Sequence, residues 1–148
     1  MLSAEITKKG KFRKKLFKYH DQSIVWLSDL DFMKGEQIFL EHLLSSHFLD
    51  LSTAKLYDPT RKLIKKLIDV KQMGNQLFDT IQLHDKELSI WIESSNFNDK
   101  KGYKKEHKQI QKDFEIYVLN FKYVKKKIFN MIKEIMKNQK QKLLIKKQ

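Results

Sequence analysis

From Tyr103 to Ile135 the chain carries Tyr103, His107, Ile110, Phe114, Tyr117, Phe121, Val124, Ile128, Met131 and Ile135 at alternating steps of four and three. That spacing predicts a helix with one narrow stripe to bury along its length. A second such seam runs Leu16, Tyr19, Ser23, Trp26, Leu30, Met33, Gln37, Leu40, Leu44, His47 and Leu51, with Ser23, Gln37 and His47 as polar members. Beside it stand His20, Leu27 and Phe48, and then Ile24, Phe32, Ile38 and Phe39, which widen the apolar face beyond what a two-stranded coil uses. Between these two helices, Leu63, Val70, Leu77, His84 and Trp91 recur every seventh position. Leu67, Gly74, Ile81 and Leu88 interleave with them, and Ile64, Phe78 and Ile92 broaden the face. The pattern predicts an all-α fold: an elongated up-down-up antiparallel three-helix bundle with coiled-coil-like heptad packing.

The punctuation places the elements. Asp58-Pro59 reads as a helix start, because the aspartate can accept from free amides and proline at the first helical position forfeits no bond. The polar run Ser94–Asp99, apolar only at Phe97, reads as the second connection. Helices are therefore expected over about 13–51, 59–94 and 102–136, within one domain over 13–136. Residues 1–12 read as a flexible basic arm and 137–148 as a basic helix end or tail. Gly35, inside the first helix, marks either a bend or a close crossing, and leaves open a four-helix arrangement.

Composition narrows the classes. One proline and four glycines in 148 residues leave little material for the turns of an all-β fold. With no cysteine there are no disulfides and no thiolate metal sites, which is compatible with a cytoplasmic home. No apolar run approaches a bilayer span, and the basic N-terminal stretch does not read as a secretory signal. The formal charge of +13 is uneven: +6 over residues 1–20, −5 over 21–60, balanced over 61–99 and +12 over 100–148. Arg13, Lys14 and Lys15 near the start, with Lys122, Lys125, Lys126 and Lys127 on the last helix, are the candidate anion-binding residues. Aromatics interleave with both groups, the chemistry by which phosphates and bases are held.

Candidate chemistry is otherwise sparse. His47, His84 and His107 fall on seam positions, where a buried imidazole needs a partner. Placing the two connections near residues 55 and 98 pairs the second and third helices at residue numbers totalling about 197, which separates His84 from His107 by roughly 9 Å along the axis. His20, His84, Glu87 and His107 are the weak candidates for a metal or small ligand. The Glu-x-x-His unit of di-metal bundles does not occur. No Gly-x-Ser-x-Gly elbow and no glycine-rich phosphate loop is present, so no catalytic residue, cofactor or enzymatic activity is expected. On the same register Glu36 reads as an exposed or rim glutamate, and the alternative is a polar core layer of Glu36, Gln37, Gln76 and Tyr123 that fixes helix alignment.

The stretch His20, Trp26-Leu27-Ser28-Asp29-Leu30, Phe32, Glu36, Phe39 and Leu43-Leu44 resembles the opening helix of a group of all-helical proteins from Bacteroidetes-type bacteria. The resemblance implies a cytosolic helical bundle and brings no known activity with it. The expected role is a non-enzymatic bundle acting through protein–protein contacts, by self-association or as an adaptor. Binding of nucleic acid or another polyanion is the alternative, and a metal or small-ligand bundle built on core histidines is the second.

Overall fold

A computed structural model of the chain describes the backbone of residues 2–94 and 101–146 and the side chains of 10–94 and 102–146. The fold is all-α. Four helices follow in order: α1 (Leu2–Ser46), α2 (Phe48–Leu51), α3 (Tyr57–Glu93) and α4 (Lys101–Lys146), with no strand among the described residues. Beyond Ser94, the expected connection Ser94–Asp99 lies outside the described residues.

Several boundaries differ from those the pattern predicts. α1 starts at Leu2, inside the stretch expected to be an arm, and α4 continues ten residues beyond 136. Every side chain from Met136 to Lys146 is exposed, so apolar burial marks where α4 packs, and hydrogen bonding carries the helix farther. α1 ends one residue before His47, which occupies a turn and is half-buried. Tyr57 donates to the Thr53 carbonyl at 2.9 Å, so α3 opens ahead of Asp58. Asp58 and Pro59 then lie in the first turn, where the helix dipole favours a carboxylate and a missing amide costs nothing.

The helices contribute to two compact units. The first comprises Met1–Phe32 and Gly74–Ile116, the second Met33–Met73 and Tyr117–Gln148. In the first unit the core takes Leu16, Trp26 and Leu30 from α1, Leu77, Ile81 and Leu88 from α3, and Tyr103 and Ile110 from α4. Contacts between α1 and α4 advance together here, Tyr19 facing Tyr103 and Trp26 facing Phe114. Those between α3 and α4 run in opposite order, His84 facing His107 and Trp91 facing Tyr103.

In the second unit Met33, Leu40, Leu44 and Leu51 pack with Leu63, Leu67 and Val70, and with Phe121, Val124, Ile128, Ile132 and Ile135. Gln37 meets Tyr117, Phe39 meets Phe129 and Asp50 meets Gln139, again in step. Thr60 meets Met131 and Lys66 meets Tyr123, in opposite order.

The narrow seams are the buried positions. The extra apolar row on α1 is not: Ile24, Phe32, Ile38 and Phe39 are all exposed, Phe32 at 71%. Gly35 lies on the same open side. A methyl added there would meet nothing within 4 Å, and α1 runs through it unbroken, so the glycine serves neither a crossing nor a break.

Two stability outcomes follow from this partition. Ile128→Ala, at a fully buried position, is expected to cost about 2–5 kcal/mol in urea unfolding, and Ile38→Ala, on the open side, less than about 0.5. Gly35→Ala is expected to stabilise by about 0.5–1 kcal/mol, since it removes backbone freedom from the unfolded chain without a clash.

Candidate functional site

The densest polar chemistry of the first unit is enclosed in its core. α3 brings His84 inward at a seam position, α4 brings His107, and the ring nitrogens meet: His84 Nε2 lies 3.0 Å from His107 Nδ1. The other nitrogen of His107, Nε2, lies 2.7 Å from Gln22 Oε1 on α1. The two imidazoles are 0% and 2% exposed. Aromatic rings close over them. Tyr103 stacks on His84 at 4.0 Å between centroids, Tyr19 on His107 at 4.1 Å, and Trp26 lies 4.9 Å from His107.

One tautomer chain satisfies these contacts. An amide oxygen only accepts, so His107 Nε2–H donates to Gln22. A neutral His107 then accepts at Nδ1, and His84 Nε2–H donates to it. His84 Nδ1 is left as a bare lone pair, without a hydrogen-bond partner. Glu106 Oε1 is 3.3 Å away, and its negative charge favours a proton on His84, against the effect of burial.

Burial decides the protonation of both rings. Removal from water pushes His107 down to about 4, helped by the neighbouring His84. His84 is also pushed down by burial, against the raising influence of Glu106, Glu87 and Asp85. Burial, with the negative field of Asp85, Glu106 and Glu87 behind it, likewise raises the Tyr103 phenol and keeps it neutral. Its hydroxyl donates to the His84 carbonyl at 3.3 Å. At the edge of the cluster His20 Nδ1 is 2.7 Å from Asp85 Oδ1.

The 9 Å separation predicted for His84 and His107 is therefore corrected. Their residue numbers total 191, six short of the predicted pairing, and that offset brings the rings into contact. Contact does not make them metal ligands. Both facing nitrogens are spent on each other, His20 pairs with Asp85, and Glu87 is exposed. Among the described residues no group of three His, Asp or Glu side chains is placed to hold a metal ion.

The structure does not bring Glu36, Gln37, Gln76 and Tyr123 into one polar layer, and Glu36 sits at the rim. Only Gln37 is fully buried, and it donates to the Tyr117 hydroxyl at 2.7 Å in the second unit. Glu36 is half-buried and ion-paired with Lys125, while Gln76 and Tyr123 are exposed. Tyr117 belongs to the apolar-looking seam, which is why its hydroxyl went unassigned. Its phenol is raised by burial.

Of the candidate anion-binding residues, Lys14, Lys15, Lys122 and Lys126 are exposed. Arg13 lies over Phe17, and Lys127 over Tyr123 at 5.6 Å from the ring centroid. Lys125 is engaged by Glu36. No protein-family model matches the chain, and neither a curated protein nor a solved structure matches it. Among the described residues no helix is long and apolar enough to cross a membrane.

The neutral imidazoles carry a pH signature. His107 takes up a proton near pH 6.5 when unfolded but only near 4 when folded, so the unfolded chain binds more protons between those values. Stability from this group is full above about 6.5 and declines as pH falls, by about 3 kcal/mol once pH reaches 4. Urea midpoints measured from pH 7 to pH 4 are expected to fall, and His107→Gln is expected to flatten that slope at a cost in stability at pH 7.

Proposed function

We propose that within each unit the three long helices run up, down and up with heptad packing, and that the protein is non-enzymatic and acts through protein–protein contacts. The directions of the α1–α4 and α3–α4 pairs support the first part. The enclosure of His84 and His107 behind Tyr19, Trp26 and Tyr103 supports the second, because a sealed imidazole pair offers a substrate no approach. The cluster is then a register lock for the first unit.

The observation that carries the functional reading is the outward stripe of α1 in the first unit. Phe17, Ile24, Val25 and Phe32 are all exposed, and they fall within about 100° of arc on the helix, opposite the buried Leu16, Ser23, Trp26 and Leu30. One helix thus has two apolar faces, and the packing within the unit covers only one. A second copy of the chain is the occupant that fits the outward face. Antiparallel pairing about a two-fold axis between Ile24 and Val25 sets Phe17 against Phe32, Ile24 against Val25 and Lys18 against Asp31. The apolar positions match, and the basic start of the stripe meets its acidic end.

Sedimentation equilibrium is expected to give twice the chain mass of 17.9 kDa. Val25→Glu and Phe32→Glu, both at exposed positions, are expected to give the single-chain mass with helical content unchanged. A strict monomer at the highest soluble concentration would overturn the reading.

A further inference from the structure

The two units divide the chain's charge very unequally. The first carries 14 lysines and arginines against 12 aspartates and glutamates, hence +2. The second carries 17 against 6, hence +11. The basic N-terminal stretch, so prominent in the sequence, belongs to the near-neutral unit. Nearly all the uncompensated charge belongs to the other.

Within the second unit two of those lysines stand over one exposed aromatic ring. Tyr123 on α4 is 48% exposed. Lys66 Nζ, from α3, stands 4.7 Å from its ring centroid, and Lys127 Nζ, from α4, stands 5.6 Å away. Among the described residues neither ammonium is ion-paired with a carboxylate, whereas nearby Lys125 and Lys71 are held by Glu36 and Glu41. Lys62, Lys65, Lys122 and Lys126 are exposed on the same two helices. Two like charges crowd one ring, and the attraction of the ring's electron cloud for a cation is a weak compensation at an exposed site. A string of phosphates supplies the missing countercharge.

The geometry points to single-stranded nucleic acid as the ligand of this surface, with Lys66 and Lys127 on its phosphates and Tyr123 stacked on a base. Lysine's long stem lets each ammonium swing from the ring to a phosphate, which frees the ring face for the base. The aromatic ring favours unpaired strands over a duplex, whose bases are already stacked. The inference is independent of self-association through the first unit.

Fluorescence-anisotropy titration of the full chain with a labelled oligouridylate tests it. With about four phosphate contacts, affinity is expected to fall about 50-fold between 50 and 200 mM salt. Tyr123→Ala is expected to weaken binding about tenfold without altering the salt slope, because stacking releases no counterions. Lys66→Ala combined with Lys127→Ala is expected to reduce the slope by about 1.4. All these positions are exposed on formed helices, so retained helicity is checked alongside. The inference is overturned by absence of binding at 50 mM salt, by tighter binding to a duplex of equal length, or by binding to vesicles of anionic phospholipid but not to RNA. It is equally overturned if the Lys66, Tyr123 and Lys127 variants bind as the parent does while Lys14→Ala with Lys15→Ala abolishes binding.

Discussion

A polar side chain that enters a helical stripe must find its partner on one particular layer of a neighbouring helix. Apolar stripes do not impose that condition, since leucine against leucine packs nearly as well one turn away. His84, His107 and Gln22 meet it in the first unit, and Gln37 with Tyr117 meets it in the second. Shifting α4 by one turn would leave several buried donors and acceptors without partners, at about 1–3 kcal/mol each. The oily residues supply most of the stability, and these few polar ones select the alignment. Ser23, also fully buried, satisfies itself by donating to the Tyr19 carbonyl 2.9 Å away and constrains no neighbouring helix.

The same separation of duties extends to the surfaces. In the first unit, charge is nearly balanced and α1 turns an apolar stripe outward, the character of a surface that meets another folded surface. In the second, lysines on α3 and α4 outnumber their acidic neighbours, and among the described residues Glu36 and Glu41 hold Lys125 and Lys71. Acidic residues outnumber basic ones over 21–60, and the basic excess of the chain lies over 1–20 and 100–148.

Helical class and the inward seams were legible because seven-residue spacing is a local property of the chain. Every seam residue from Tyr103 to Ile135 is buried or half-buried. Register was not legible. It depends on where each connection turns, and an error of a few residues in the loop centre carries over to every pair, as it did for His84 and His107. The polar layer failed for the same reason: Gln76 and Tyr123 were placed by that register, while Gln37 was placed by its own seam and is buried. Ile24, Phe32, Ile38 and Phe39 show a different limit. Hydrophobicity says that a side chain prefers cover, but not whether its own chain provides it. The Tyr123 site pairs Lys66 with Lys127 across two helices, and no linear motif encodes such a meeting.

Nitrogen-15 NMR of the histidine rings tests most directly whether paired polar groups set the alignment. At pH 7 the account predicts that His84 and His107 are both neutral, each protonated at Nε2, with the His84 Nε2 proton exchanging slowly with water. An imidazolium at either ring at that pH, or rapid averaging of the two tautomers, would contradict it.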